Sequence, residues 1–144
     1  MKLKGINHIT FSVSDLEKSI EFYKNVFGAD LLVKGERVGD RLAYFDLNGL
    51  WLALNVEDDV SRNEIYESYT HISFSIDEED YVTTLERLKQ LDIDLKEGRP
   101  RFEEEGKSIY FRDPDGHLFE FHTKTREDRI KFYKKNRPSL TFFE

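Results

Sequence analysis

The sequence predicts an α+β protein built from two βαβββ halves. A repeated segment is the first observation: residues 7–26 and 70–89 share the pattern polar-His-Ile-x-Phe-Ser-aliphatic, followed by an acidic turn and an amphipathic stretch. A matching pair of turn signals is the second, because each copy is followed later by an Asn-Gly or Asp-Gly dipeptide between two apolar runs. Both halves therefore read as strand, helix and three strands.

The first half begins with a strand, because apolar and polar residues alternate along it. One face carries Ile9, Phe11 and Val13, and the other carries His8, Thr10 and Ser12. Ser14-Asp15-Leu16-Glu17 resembles a capping box, so a helix is expected to follow and to stop at Gly28. Three strands are then expected over 29–34, 41–45 and 50–55, with a tight turn at Asn48-Gly49.

The second half repeats this order. Its first strand places His71, Ser73 and Ser75 on one face, and its helix is expected to begin at Asp77 with Leu85, Leu88 and Leu91 on the inner side. Strands are expected over 93–97, 107–112 and 117–122, with a turn at 113–116. We predict a single domain over 1–144, with half-units of about 4–56 and 68–123 and a C-terminal helical extension of about 124–144.

Composition excludes several classes of function. A formal charge of −7 disfavours nucleic-acid binding, which needs a basic patch to displace counterions. The chain has 35% charged residues and no signal-peptide pattern, which predicts a cytosolic protein with no membrane span. It has no cysteine, so any thiol used in its chemistry must come from outside. The basic run RIKFYKKNRP near the C-terminus is either a solvated helix end or the neighbour of an anionic ligand.

The repeat also predicts a metal site. Pairing the halves about a pseudo-two-fold axis would bring His8 and His71 toward one point, and aligning Gly49 with Gly116 puts Glu120 in the third matching slot. A single buried strand histidine is usually a structural residue, but two in register with a carboxylate indicate metal ligation. Two imidazoles and one carboxylate leave coordination positions open, as in catalytic sites for Mn²⁺, Mg²⁺, Fe²⁺ or Zn²⁺.

Six segments together carry a family resemblance. They are GINHITFSVSDLEKSIEFY, GLWLALN, RNEI, SYTHISFSI, SIYFRDPDGHLFEFHT and DRIKFYKKNRP. The chain resembles the fosfomycin-resistance metallothiol transferases, in the bacillithiol-using branch of the vicinal oxygen chelate superfamily. That superfamily has mixed sheets of paired βαβββ units that curl around a metal site, which agrees with the repeat.

The resemblance implies an activity and a set of site residues. The implied reaction adds bacillithiol or L-cysteine to the epoxide of fosfomycin, with Mg²⁺ or Mn²⁺ as the metal and Zn²⁺ as an alternative in crystals. His8, His71 and Glu120 match the metal ligands, and Glu120 is also the candidate for moving a proton. Residues around the phosphonate are matched by Asn55, Tyr69, Arg99, Tyr110 and Arg129, with Tyr133 as a further pocket aromatic. A cytoplasmic homodimer is implied as well, with strands often exchanged between chains.

Two segments depart from the family pattern, and the second lies where the thiol is expected to enter. Residues 36–40 lengthen a loop, and three consecutive glutamates at 103–105 could repel an anionic cosubstrate. His117, on the opposite strand face from Glu120, is expected to be structural, whereas a supporting role for His122 stays open.

The alternatives come from four directions. An epoxide hydrolase would need a carboxylate where this chain has Leu42, and a glyoxalase would need a fourth ligand where it has Ala53. A ring-cleaving dioxygenase and a metal-free drug-binding module complete the set. The two histidines with a carboxylate disfavour the last of these.

Overall fold

Each half of the chain forms a four-stranded sheet in the computed structural model, which describes residues 1–143. The first half contains β1 His8–Val13, α1 Leu16–Phe27, β2 Asp30–Gly35, β3 Leu42–Leu47, β4 Leu50–Val56 and α2 Asn63–Glu67. The second contains β5 His71–Ser75, α3 Tyr81–Gln90, β6 Asp94–Lys96, β7 Ser108–Arg112, β8 Leu118–His122 and α4 Arg126–Asn136.

The two sheets have the same topology. Their strand orders are β1-β4-β3-β2 and β5-β8-β7-β6, and in each the first strand runs parallel to the last while the other pairs are antiparallel. The registers also correspond, because His8 lies opposite Trp51 and His71 lies opposite Leu118. The predicted α+β fold of two βαβββ halves is confirmed.

The chain divides into two compact units. The first comprises Met1–Ser68 with Asp113–His117, and the second comprises Tyr69–Arg112 with the segment from Leu118 onward. Apolar side chains from β1, α1, β3 and β4 fill the core of the first unit, including Val13, Ile20, Tyr23, Phe45 and Leu54. The core of the second is mostly aromatic, with Ile109, Phe111, Phe119, Phe121 and Phe132. No helix within residues 1–143 is long and apolar enough to cross a membrane.

Turn chemistry fixes the strand registers in both units. Asn48 and Gly49 have φ values of 52° and 84°, the left-handed pair of a two-residue hairpin turn, and the Asp46 side chain accepts from the Gly49 N–H. Gly116 has a φ of 94°, and a Cβ there would come within 2.7 Å of the Tyr66 ring. Glycine is therefore required at position 116 by both conformation and space.

Two local predictions differ from the structure. Helix α1 is capped by Asp15 rather than Ser14: the Asp15 side chain accepts from the Lys18 N–H, whereas the Ser14 N–H donates to Asp115. Leu91 is 37% exposed and not on the inner face of α3, because the helix ends at Gln90 and Leu91 is its C-terminal cap. Leu88 is the buried residue of that helix.

Candidate functional site

The second unit brings His71 and Glu120 together across neighbouring strands. His71 begins β5 and Glu120 lies in the middle of β8, and their Nε2 and Oε2 atoms are 3.2 Å apart. Two donors, each about 2.0–2.2 Å from a common ion, lie roughly 3 Å apart when they subtend a right angle at it. The pair therefore has the spacing of two ligands of one metal ion.

The tautomer of each predicted metal histidine suits ligation. His71 Nδ1 lies 2.8 Å from the backbone carbonyl of Tyr69, and His8 Nδ1 lies 2.7 Å from the side-chain oxygen of Asn7. Both partners are acceptors, so Nδ1 carries a proton in each ring, and Nε2 is the nitrogen left to bind a metal. His71 Nε2 faces a carboxylate oxygen, a contact that either a proton on Nε2 or a metal ion between the two atoms satisfies.

Glu120 is buried and its other oxygen is occupied. Oε1 accepts hydrogen bonds from the Ser108 hydroxyl at 2.5 Å and from the Arg101 guanidinium at 3.1 Å. Burial by itself raises the pKa of Glu120, but hydrogen bonds from Ser108 and Tyr110 and the charge of Arg101 more than offset it and lower the pKa. The carboxyl group is therefore ionised at neutral pH, as a metal ligand must be.

Two tyrosines lie beside the His71–Glu120 pair. The hydroxyl oxygens of Tyr69 and Tyr110 are 3.1 Å apart, and the rings of both contact the His71 ring. Arg101 donates to the Tyr110 hydroxyl at 2.8 Å. The pKa of Tyr110 is raised by burial and by its hydrogen bonds to Tyr69 and Glu120, so the phenol keeps its proton and can donate.

Arg129, on α4, lies next to His122. Its Nη2 is 3.1 Å from His122 Nε2, its Nη1 donates to the Tyr133 hydroxyl at 3.3 Å, and its guanidinium lies 5.8 Å from the Tyr133 ring centre. Its Nε is buried without a hydrogen-bond partner within residues 1–143. A buried cationic donor left unpaired in this way is suited to an anionic ligand.

Arg99 lies on the loop between β6 and β7, where it pairs with Glu105. Both of its terminal nitrogens contact the Glu105 carboxylate, the shorter distance being 2.5 Å. The Arg99 guanidinium, together with the Phe102 N–H, lowers the pKa of Glu105 to about 2 although burial opposes this. Of the three consecutive glutamates, Glu105 is therefore buried, and its negative charge is balanced by Arg99 rather than free to repel a cosubstrate.

The remaining predicted residues lie in the first unit. His8 is exposed at the start of β1, and Asn55 is exposed on β4 opposite Ser12. Across residues 1–143, no group of three or more His, Asp or Glu side chains is arranged to hold a metal ion. The structure thus brings together His71, Glu120, Tyr69 and Tyr110, while the complete ligand set with His8 stays a prediction.

Sequence reasoning missed Ser108 and Arg101. The register could have revealed Ser108, because counting back from the 113–116 turn places Tyr110 opposite Glu120 and Ser108 opposite His122. These four polar side chains alternate with apolar ones and share one face of the hairpin. Arg101 lies on an irregular loop, for which no periodic pattern predicts a contact.

Comparison with known proteins gives consistent similarity over the whole chain. Residues 5–121 match the model of the Glyoxalase/Bleomycin resistance protein/Dioxygenase superfamily. The chain is 57% identical to metallothiol transferase FosB of Lysinibacillus sphaericus, covering 99% of each chain. It is 52% identical to metallothiol transferase FosB of Bacillus licheniformis, covering 99% of this chain and 90% of that one.

Solved structures give the same fold. A crystal structure of the fosfomycin resistance protein FosX from Listeria monocytogenes superposes with a TM-score of 0.81 at 37% identity, covering 92% of this chain and 100% of that one. A mutant of that FosX was crystallised with Mn(II) and 1S,2S-dihydroxypropylphosphonic acid, and it superposes with a TM-score of 0.79 at 38% identity, covering 92% of this chain and 99% of that one. From its repeat, its fold and its full-length similarity, the chain belongs to the metallothiol transferase FosB family within the Glyoxalase/Bleomycin resistance protein/Dioxygenase superfamily.

Proposed function

We propose that this protein is a metal-dependent transferase that adds a low-molecular-weight thiol to the epoxide of fosfomycin. The observation that carries the proposal is the 57% identity, over 99% of both chains, with a protein named metallothiol transferase. The geometry of the site also supports it, through the His71–Glu120 pair and the unpaired donor of Arg129.

The reaction uses a thiol from outside the protein, because the chain has no cysteine. The thiol gives up its proton as its sulfur bonds to one epoxide carbon, the bond from that carbon to oxygen breaks, and the oxygen takes up a proton to become a hydroxyl. A bound divalent metal supplies Lewis-acid stabilisation of the oxygen as negative charge develops on it. In this proposal His8, His71 and Glu120 hold that metal.

The other site residues bind and orient the phosphonate. Arg129 offers a buried N–H and a guanidinium charge, and Arg99 and Asn55 are proposed to add further donors. Tyr69 is proposed to donate to a phosphonate oxygen, and Tyr110, whose raised pKa keeps its phenol protonated, would have to exchange its hydrogen bond to Glu120 for one to the anion. Tyr133 packs against the Arg129 guanidinium and restricts its orientation.

The metal is proposed to be Mg²⁺ or Mn²⁺, and the Mn(II) in the FosX crystal supports this choice. Oxygen and imidazole donors without thiolate suit these ions, and they accept Zn²⁺ as well. We further expect bacillithiol to be the preferred thiol, with L-cysteine as a substitute, and a homodimer acting in the cytoplasm, as the family resemblance implies.

Hydrolysis is the second candidate, because the FosX relatives include one crystallised with a dihydroxypropylphosphonic acid, the compound that water addition to the fosfomycin epoxide would give. A hydrolase would need a carboxylate to activate water at position 42. This chain has Leu42 there, at the start of β3. An apolar side chain cannot take a proton from water, so thiol addition is favoured.

The test is a product-mass measurement after mixing the protein with fosfomycin, Mn²⁺ or Mg²⁺, and bacillithiol, L-cysteine or glutathione. We expect fosfomycin to gain the mass of the thiol, fastest with bacillithiol, and to remain unchanged with Glu120→Gln or with a chelator. A water adduct formed without thiol would contradict the proposal and identify a hydrolase.

A further inference from the structure

A continuous chain of hydrogen bonds connects Arg129 to Glu120 in the second unit. Arg129 Nη2 lies 3.1 Å from His122 Nε2, His122 Nδ1 lies 2.8 Å from Ser108 Oγ, and Ser108 Oγ lies 2.5 Å from Glu120 Oε1. Ser108 on β7 and His122 on β8 are opposite each other, so the hairpin itself sets their spacing. His122 is 8% exposed and Glu120 is 5% exposed, so little water competes for these bonds.

Only one direction of donation satisfies all three bonds. A guanidinium has donors and no acceptor, so His122 Nε2 must accept and the imidazole proton must lie on Nδ1. Nδ1–H then donates to the Ser108 oxygen, and the hydroxyl proton of Ser108 is directed at the Glu120 carboxylate. Arg129 thus determines the tautomer of His122, and His122 determines the direction in which the Ser108 hydroxyl proton points.

This chain determines which oxygen of Glu120 is available. Oε1 accepts from Ser108 and from Arg101, whereas Oε2 faces His71 Nε2 at 3.2 Å. With Oε1 held on one side, the carboxylate plane cannot rotate without breaking two hydrogen bonds.

We propose that Ser108 and His122 are positioning residues that orient Glu120 so that it binds the metal through Oε2 alone, and that they link the phosphonate-binding Arg129 to that ligand. This inference rests on the proposed function, because it takes Glu120 as a metal ligand and Arg129 as an anion-binding residue. In this inference, neither Ser108 nor His122 contacts the reacting atoms. Their effect passes through Glu120.

Four variants at Ser108 and His122 test whether Mn²⁺ affinity depends on these hydrogen-bond donors or only on the packing of the side chains. Ser108→Ala removes the donor to Glu120 and is expected to weaken Mn²⁺ binding by about 10- to 100-fold, the usual effect of losing a partner of a metal ligand. Ser108→Thr keeps a hydroxyl and is expected to bind Mn²⁺ within a few-fold of wild type. His122→Asn keeps an N–H near Nδ1 and should retain affinity, whereas His122→Gln moves the amide toward Nε2 and should lose it.

Thr123→Ala is the matched control, because Thr123 is the next hydroxyl along the hairpin and accepts from the Lys107 N–H without contacting Glu120 in the structure. Mn²⁺ affinity is measured by calorimetric titration, with circular dichroism to confirm folding. The kinetic parameters kcat and KM for fosfomycin are measured over a range of Mn²⁺ concentrations. We expect excess Mn²⁺ to restore the kcat of Ser108→Ala, a rescue that a general packing defect would not show.

The outcomes distinguish this inference from the proposed function. If wild type binds Mn²⁺ and forms the thiol adduct but Ser108→Ala binds Mn²⁺ equally well, the positioning role is wrong and the proposed function stands. If wild type binds Mn²⁺ but forms no adduct, the proposed function is wrong and the Mn²⁺ affinities of the variants still decide the positioning role. If wild type binds no Mn²⁺, both are wrong. Should Ser108→Ala not fold, equal Mn²⁺ affinities of His122→Asn and His122→Gln would overturn the inference.

Discussion

Arg99 and Arg129 are both proposed to bind the phosphonate, but their surroundings differ. Arg129 has a buried Nε without a partner among the described residues, while its terminal nitrogens contact His122 and Tyr133. Arg99 is already engaged by Glu105 through two contacts. Arg129 is therefore preorganised for an anion, whereas Arg99 must share or exchange its partner to reach one.

The first prediction concerns substrate capture. Arg129→Ala is expected to lower kcat/KM for fosfomycin by roughly 10- to 150-fold, because a hydrogen bond to a charged group contributes about 1.5–3 kcal/mol. A calorimetric titration should show a much smaller loss of metal affinity than of kcat/KM, because Arg129 reaches the metal ligand Glu120 only through His122 and Ser108. Arg99→Ala should lower kcat/KM in the same range, and Arg37→Ala, in the loop before β3, is the control for general charge loss. Equal losses in all three variants would remove the specific phosphonate pocket.

The second prediction uses the pKa of Glu105, which the Arg99 guanidinium and the Phe102 N–H hold at about 2 against an ordinary 4.5. A carboxyl with a depressed pKa stabilises the fold above its unfolded pKa, and this stabilisation is lost as the pH falls from 4.5 toward 2. The difference in free energy of unfolding between wild type and Glu105→Gln should thus be largest above pH 4.5, at most about 3 kcal/mol, and shrink below it.

Denaturant unfolding at several pH values measures this difference. Glu103→Gln, on the same turn but exposed, is the matched control and should show little change with pH. A pH dependence that is the same for both variants would contradict a special role for the Arg99–Glu105 pair.

At the scale of elements, the turn between β7 and β8 is held in the first unit by buried polar contacts. The Tyr23 hydroxyl on α1 donates to the Asp113 carboxylate at 2.8 Å, and the N–H groups of Asp115 and His117 also donate to Asp113. His117 Nε2 lies 2.8 Å from the Ser12 carbonyl. The expectation that His117 is structural agrees with this contact.

The third prediction tests the Tyr23–Asp113 bond. Burial raises the pKa of Tyr23, as does the nearby Asp113 charge, so the phenol remains the donor. Tyr23→Phe is expected to lower the free energy of unfolding by about 1–3 kcal/mol, because a buried acceptor loses one of its donors while the ring volume is kept. Urea denaturation measures this loss. The control is Tyr44→Phe, because the Tyr44 ring on β3 meets the Trp51 ring on β4 edge to face. Similar losses in both variants would mean that the hydroxyl of Tyr23 contributes nothing specific.

Local sequence patterns predicted the strands and turns well, because these elements depend on residues that are neighbours in the sequence. The alternation of apolar and polar residues predicted which side chains share a face of β1 and of β5, and the Asn48-Gly49 dipeptide predicted the first hairpin. The cap of α1 was misplaced by one residue because the Ser14 N–H is taken by Asp115, a contact far away along the chain. Arg101 was missed for the same reason: its contact with Glu120 depends on how an irregular loop folds back, which no sequence period encodes.

At the scale of the whole molecule, the repeat distributes the predicted metal ligands between the two units. His8 belongs to the first unit, and His71 and Glu120 belong to the second. We propose a homodimer with strands exchanged between its chains, because the family resemblance implies a homodimer and such exchange is frequent in the superfamily. Under that proposal, each metal would take His8 from one chain and the His71–Glu120 pair from the other.

The last prediction is a complementation between two inactive variants, His8→Ala and Glu120→Gln. In a homodimer with exchanged ligands, a mixed dimer places both changes in one site and leaves the other site with its three ligands intact. Refolding an equal mixture should therefore restore about a quarter of the wild-type thiol-transfer activity, since half of the dimers are mixed and each has one intact site. Neither variant refolded alone should recover activity. If all three ligands come from one chain, every site in the mixed dimer carries one change, and the mixture would stay as inactive as its components.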